Sequence, residues 1–381
     1  MNILVLGAGL QGCAAAYDLL QVPSVTRVTL ADLNPARLPK FLQKDWGSRL
    51  KPLTLDVKDP AAVAQAMAGQ NAVLCALPYY FNEPMTRAAV EAGAHFCDLG
   101  GNTEIVLQQR QLDAKAKSKG VSVIPDCGLA PGMVNILAAE GIRRLDKADR
   151  VKIFVGGLPQ KPEPPLNYQI VYSLEGALDY YTTPSLVLRG GKKLEVDALS
   201  ELEDVQFPTP IGTLEAFHTA GGISTLPMTW EGKVDVMEYK TLRYPGHVAI
   251  IRPIRELGLL DNQPIAVRGQ MVVPRDAFIA AVTPKLLKPE GRDLVALRVE
   301  VSGIKDGKPK KTAWQLIDKY DEATGITAMM RTTGYSLAIT ALMQADGRVT
   351  AKGVVTPDES MPAKGYIDEL AKRGVKIEEV A

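Results

Sequence analysis

The first thirty-two residues constrain the fold more than any other stretch. Residues 1–6 form a short apolar run, Gly7-Ala8-Gly9-Leu10-Gln11-Gly12 follows at once, and residues 13–20 are rich in Ala and Leu. Strand, glycine turn and helix in that order are the opening of a dinucleotide-binding unit. Gly7 permits the tight turn, Gly9 lets the backbone approach a pyrophosphate, and Gly12 lets the helix lie close on the strand. The pyrophosphate then sits at the helix N-terminus, beside Leu10 and Gln11, where unpaired N–H groups and the helix dipole favour an anion. A second strand over residues 27–31 ends in Asp32, twenty residues after Gly12. An acidic side chain there accepts from ribose hydroxyls and repels a 2′-phosphate, which predicts NAD rather than NADP as cofactor.

Strand and helix patterns continue to alternate through residue 124. Helices are predicted over residues 39–46, 60–67, 82–92 and 103–119, with strands over 50–55, 72–78, 95–99 and 121–124. Six strands with helices between them make a doubly wound parallel sheet, an α/β fold of Rossmann type, with ligands at the C-terminal strand ends. On that rim, Asp56 and Val57 are placed near the adenine. Ala76, Leu77, Pro78 and Gly100 are placed along the rest of the cofactor.

Beyond Pro131 the pattern changes. One helix over residues 134–145 is followed by period-two runs at 150–155, 167–171, 185–188, 234–242, 247–252, 266–273, 294–304 and 311–319, separated by glycine turns. This predicts an α+β second domain on an antiparallel or mixed sheet. Residues 333–345 and 363–373 read as helices. The expected domains are 1–130 for the dinucleotide, 131–332 for substrate and dimerisation, and 333–381 as C-terminal helices.

Net charge of +1 and 23% charged residues leave no basic footprint for nucleic acid or an anionic membrane. No apolar run has the roughly 18 residues that a span needs, and the first strand begins at the N-terminus, so a cytoplasmic protein is expected. The four cysteines, Cys13, Cys75, Cys97 and Cys127, form no C-x-x-C pair, so no metal site is expected from them.

Four stretches carry a family resemblance. They are residues 4–12 with Asp32; Pro125-Asp126-Cys127-Gly128-Leu129-Ala130-Pro131-Gly132; Thr219-Ala220-Gly221-Gly222 with residues 239–247; and Thr333-Gly334-Tyr335 with Lys352-Gly353-Val354. On these the chain resembles the saccharopine dehydrogenase family, and within it the lysine 6-dehydrogenases. The resemblance implies oxidation of an amine by NAD followed by hydrolysis, and a C-terminal helix that returns to the nucleotide domain. Members of the family act on lysine, saccharopine or carboxynorspermidine. The ε-amine of lysine is the substrate expected here, with saccharopine or carboxynorspermidine as the alternative. A non-catalytic dinucleotide-binding regulator on the same fold is the rival from another class.

An amine must lose a proton before hydride can leave, so a base titrating near neutrality is sought. His218 and His247 flank glycine turns and are candidates, with Asp126 third and Lys240 beside them. Asp126 reads equally as a local cap. Arg243 is the candidate clamp for the α-carboxylate, its planar fork matching two oxygens, with Thr241 close by in sequence. Glu238 and Asp235 are the acids nearest in sequence for the α-ammonium. Tyr79 and Tyr80 are expected to wall the pocket, and Cys127 to line it without acting as a nucleophile.

Overall fold

Residues 3–6 and 72–75 are apolar without alternation, which suits strands covered on both faces. All eight are fully buried in the computed structural model, which describes residues 1–35 and 37–380. The first unit comprises β1 (Asn2–Leu6), α1 (Leu10–Gln21), β2 (Arg27–Asp32), β3 (Leu50–Thr54), α2 (Pro60–Met67), β4 (Ala72–Cys75), α3 (Asn82–Ala92), β5 (His95–Asp98), α4 (Thr103–Arg110), α5 (Asp113–Ser118) and β6 (Ser122–Ile124). The second runs through α6 (Met133–Arg143), β7 (Lys147–Pro159), α7 (Leu174–Thr182), β8 (Ser185–Arg189), β9 (Lys192–Val196), β10 (Glu203–Gln206), β11 (Thr213–His218), α8 (Leu226–Trp230), β12 (Val234–Arg243) and α9 (His247–Glu256). It continues with β13 (Ile265–Val267), β14 (Gln270–Val272), α10 (Pro274–Leu286), β15 (Asp293–Lys305) and β16 (Lys308–Lys319). The chain closes with α11 (Ala328–Ala345), β17 (Gly353–Val354), α12 (Pro357–Ser360), α13 (Ala363–Lys372) and β18 (Glu378–Glu379).

The first sheet is parallel and seven-stranded, in the order β17-β6-β5-β4-β1-β2-β3. The sequence predicts six strands; the seventh is β17, which pairs with Ser122 and Val123 from more than two hundred residues away in the chain. Winding reverses between β1 and β4, the switch point where such sheets bind ligands. The second sheet is mixed: β7 pairs in parallel with β12 and antiparallel with β15, and β10, β11, β8, β9, β16 and β18 extend it.

Helix α11 starts earlier than its sequence pattern suggests. Both oxygens of Asp293, on β15, take its first N–H groups, those of Ala328 at 2.8 Å and Met329 at 2.9 Å. A distant carboxylate cap of this kind leaves no local signal. The helix then returns to the first unit and lies on α1, as the resemblance implies. Contact there is close: a Cβ on Gly334 would stand 2.7 Å from Ala14 Cβ and 2.8 Å from the Gln11 carbonyl. Gly334→Ala gains roughly 1 kcal/mol of helix propensity but forces two backbones apart, an overpacking cost of about 1–3 kcal/mol. Since neither neighbour is a flexible side-chain end, the clash is expected to win. Thermal unfolding should show a lower Tm for the variant, and an unchanged or higher one would refute the close packing.

Other local expectations are corrected. Residues 39–46 form no α-helix but separate short 3-10 turns, Lys40–Leu42 and, just beyond, Gly47–Arg49. The predicted helix over 103–119 breaks at Gln111-Leu112 into α4 and α5. Residues 167–171 are irregular, and residues 247–252 are helix rather than strand. That run buries Val248 and Ile251, three apart, and Glu215 accepts the N–H groups of Gly246 at 2.9 Å and Val248 at 2.7 Å, which fixes the helix start. No helix among the described residues is long and apolar enough to cross a membrane.

Candidate active site

Gly7 carries a φ of +95°, and a Cβ on it would stand 2.8 Å from the Ala76 carbonyl. A Cβ on Gly12 would strike the Gly7 carbonyl, while the space beside Gly9 is open. Only glycine therefore fits the first and third positions, and the second leaves room for a ligand. The first N–H groups of α1, from Leu10 to Gly12, have no partner within the helix and face that space. Asp32 holds the loop from the end of β2, accepting from Ala8 N at 2.7 Å with Oδ2 and from Asn34 N at 3.0 Å with Oδ1. Each oxygen keeps a lone pair for a ribose hydroxyl. Ala76, Leu77 and Pro78 follow β4, and Asp56 and Val57 follow β3, on the same rim. Asp56 is exposed and accepts from Lys58 N at 2.9 Å. These groups fit a bound dinucleotide.

Beside the cradle lies a cavity of about 280 Å³ between the two sheets. Gln11 reaches it from α1, Leu99 and Gly128 to Pro131 from the rim of the first sheet, and Met329 and Thr333 from α11. Tyr239, Thr241 and Arg243 reach it from β12, and Tyr172 and Tyr180 from the segment around α7. Gln11 Oε1 is buried without a hydrogen-bond partner, an acceptor awaiting a donor. Arg243 is buried and, among the described residues, is the only charged one lining the cavity. Its Nε donates to Tyr181 Oη at 3.2 Å, Nη1 donates to the Leu242 carbonyl at 2.9 Å, and the guanidinium lies 4.9 Å from the centre of the Tyr168 ring. It has no carboxylate partner among the described residues. A guanidinium stays charged in proteins, and a buried unpaired charge costs several kcal/mol. An anionic ligand group is the natural complement.

A larger cleft of about 620 Å³ adjoins it, with Tyr180 lining both and Tyr79, Gly101, Thr103 and Ser224 on its walls. Asp126 sits behind this wall. Its φ is +62°, its carboxyl is buried, and Oδ1 has no partner. A Cβ on Gly100 would strike Oδ1, so the glycine makes room for the acid. Burial pushes the Asp126 carboxyl up to about 7, against a lowering hydrogen bond with Ser224 and with a further raising contribution from Asp98. Asp98, itself raised to about 6 by burial, braces the corner by accepting from Gly100 N and Gln109 Nε2, both at 2.7 Å.

Several expected site residues lie elsewhere. Successive strand residues face opposite sides, so Tyr239, Thr241 and Arg243 reach the cavity while Glu238 and Lys240 point to the other face of the sheet. His218 is paired with Lys240 in the β11–β12 register and shares that far face. There Lys240 bonds Glu203 at 2.7 Å, His218 Nε2 meets Glu201 at 3.1 Å, and Arg189 bridges Glu238 at 2.6 Å and Glu201 at 2.9 Å. The ligand atoms of Glu201, His218 and Glu238 are close enough to hold an ion. Arg189 already lies between the two carboxylates, so the group is a closed ion-pair network. His218 and Lys240 are thus corrected from catalytic candidates to members of that network, and burial lowers the pKa of His218. Asp235, exposed at the start of β12, and Glu238 line neither the cavity nor the adjoining cleft.

His247 is near Arg243, and burial and then the Arg243 charge hold it down at about 3, below the near-neutral titration sought in a base. Cys127 points into the core rather than the cavity, with Sγ 3.1 Å from the Ile124 carbonyl and its thiol raised by burial. Tyr79 lines the larger cleft; Tyr80 does not and is exposed. Sequence reasoning missed Tyr168, Tyr172, Tyr180 and Tyr181. Their signal was compositional: four of the chain's 12 tyrosines fall within one short segment.

Two family models match. Residues 3–124 match the saccharopine dehydrogenase NADP binding domain and residues 128–375 the saccharopine dehydrogenase C-terminal domain. Saccharopine dehydrogenase [NADP(+), L-glutamate-forming] of Schizosaccharomyces pombe is 22% identical over 453 residues, covering 99% of this chain and 98% of the relative. The Saccharomyces cerevisiae protein of that name is 24% identical, covering 93% of each. The solved apo saccharopine dehydrogenase (L-Glu forming) from Saccharomyces cerevisiae superposes with a TM-score of 0.81 at 21% identity over all of both chains. The homospermidine synthase of Legionella pneumophila superposes with a TM-score of 0.68 at 11% identity, over all of this chain and 91% of that one. Those two likenesses establish a shared fold; the two family matches, which together span nearly the whole sequence, establish that the chain belongs to the saccharopine dehydrogenase family of oxidoreductases.

Proposed function

We propose that the protein is an NAD-dependent amine dehydrogenase that oxidises the ε-amine of L-lysine to the semialdehyde, which cyclises to piperideine-6-carboxylate, with release of ammonia. The observation that carries this reading is the single buried cation on the wall of the small cavity, Arg243. One guanidinium complements one carboxylate. Saccharopine brings three, and a volume of about 280 Å³ falls just below the usual span of ligand pockets, roughly 300–1,000 Å³. The bound dinucleotide would supply the hydride acceptor. Arg243 and the surrounding tyrosines fix the amino-acid end, Gln11 Oε1 offers an acceptor to an N–H group, and the amine end points past Tyr180, which lines both spaces, towards the cleft. Asp126 takes the amine proton, with Ser224 as the hydroxyl between the buried carboxylate and the cleft. Four buried free cysteines agree with a reducing, cytoplasmic setting.

The alternative, a saccharopine or carboxynorspermidine dehydrogenase, draws on the names of the relatives and on the adjoining cleft of about 620 Å³, which has Lys193 on its wall and room for a second moiety. Assaying L-lysine, saccharopine and carboxynorspermidine in parallel, each with NAD and NADP, decides between them. Turnover is expected with L-lysine and NAD. Because a carboxylate facing a 2′-phosphate costs several kcal/mol, Asp32→Ala should shift the ratio of NAD to NADP efficiency towards NADP by on the order of tenfold or more. The relatives whose names carry NADP(+) make this a demanding test. Exclusive turnover of saccharopine would transfer the assignment to the alternative, and an unmoved cofactor ratio would remove Asp32 as its determinant.

A further inference from the structure

Behind Arg243 runs a hydrogen-bond chain whose direction its two ends dictate. Arg243 Nε can only donate, and it lies 3.2 Å from Tyr181 Oη. At the far end the Leu166 carbonyl can only accept, and it lies 3.2 Å from His247 Nδ1. Nδ1 therefore carries the ring proton, leaving Nε2 as an acceptor 3.1 Å from Tyr181 Oη, which donates to it. All three side chains are buried. His247 is also the first residue of α9, where the helix dipole disfavours a cation. The groups around the ring are the aromatic faces of Tyr168, Tyr181 and Phe217 and the Arg243 charge, and Glu215 is engaged with the N–H groups of Gly246 and Val248. Among the described residues, neither histidine nor tyrosine is left a partner to which it could pass a proton from the cavity.

We infer that Tyr181 and His247 are positioning residues for carboxylate recognition: their chain fixes the rotation of the Arg243 fork so that Nη2, which has no partner among the described residues, is presented to the substrate. This rests on the reading of Arg243 as the substrate clamp. It makes affinity for the amino acid depend on two residues that touch neither substrate nor cofactor, and assigns the base elsewhere.

The test compares Tyr181→Phe, His247→Leu, His247→Gln and Arg243→Ala in steady-state assays with L-lysine and with saccharopine, and in calorimetric titrations with L-lysine and with cadaverine, which lacks the carboxylate. Tyr181→Phe is isosteric and removes only the hydroxyl. Loss of a hydrogen bond to a charged group is expected to raise KM and weaken L-lysine binding by roughly tenfold. His247→Leu should do the same to a smaller extent, and His247→Gln, whose amide oxygen replaces the Nε2 acceptor, should restore most of it. Cadaverine binding should not change. A positioning role leaves kcat at saturation within about threefold and the acid limb of its pH profile where it was. If Arg243→Ala raises KM while Tyr181→Phe and His247→Leu do not, the chain has no positioning role. If His247→Gln instead removes the pH limb, His247 is the base and the inference fails. Unchanged binding in Arg243→Ala overturns the clamp itself.

Discussion

Arg243→Ala is expected to raise KM for the amino-acid substrate by on the order of tens to hundreds of fold, the equivalent of about 2–4 kcal/mol for a charge-assisted contact in a dry site. The size follows from burial: the guanidinium lies on a wall whose other side chains are all uncharged, with no carboxylate partner among the described residues, so a substrate carboxylate meets it with little screening. Dinucleotide affinity should be unaffected, because the cradle at Gly7 to Gly12 is built from α1 and β1 and shares no side chain with β12. Arg243→Lys keeps the charge and loses the planar fork, and should recover only part of the loss. Titrations of NAD and of L-lysine into each variant separate the outcomes. Equal affinity for L-lysine in wild type and Arg243→Ala, with the dinucleotide still bound, would remove Arg243 from the site.

What the sequence made legible divides along physical lines. The nucleotide unit was readable because each of its features is local: continuous apolarity for strands covered on both faces, glycines where a Cβ has no room, a carboxylate at a strand end. Residues 60–67 and 82–92 match α2 and α3 to the residue, and in the structure Asp59 caps the first and Gly93 ends the second. The seventh strand and the start of α11 were not readable, because their partners, Ser122 and Asp293, are remote in the chain. In the candidate site the failure was one of faces. Residues 239–247 look like one cluster when written in a line, yet the strand period divides them: Thr241 and Arg243 face the cavity, whereas Lys240 and, through register, His218 face the ion-pair network. The histidine chemistry inferred from titration near neutrality failed for a related reason. Burial, which no sequence pattern at His247 announced, moves it out of that range, and the same effect acting on a carboxyl brings Asp126 into it.

That inversion sets the prediction for Asp126. A lysine ε-amine is protonated up to about pH 10.4 in water, so the base must accept a proton from a bound ammonium, and a carboxyl titrating at about 7 is suited to do so. Activity in the wild type should therefore rise through pH 7 and level off well below the pKa of the free amine. Asp126→Asn keeps the size of the side chain and cannot take the proton; kcat should fall by roughly 10²–10³-fold and the limb near 7 should disappear. Stability should move the other way. In the unfolded chain this carboxyl titrates near 4, whereas in the folded protein it holds its proton to about 7. The unfolded state is thus the first to release the proton, so the contribution of this group to stability is complete below about pH 4 and is lost as pH rises through 7. The asparagine never ionises, so its Tm should exceed that of the wild type at pH 8, with the gap closing towards pH 5. Asp98, Asp358 and Arg110 are the charges that act on the same carboxyl, and all three remain in the variant. A variant that is slower, but whose stability relative to the wild type is the same at pH 5 and pH 8, would mean that folding does not raise this carboxyl. A variant with kcat within a few fold of the wild type and an unmoved limb would remove Asp126 as the base.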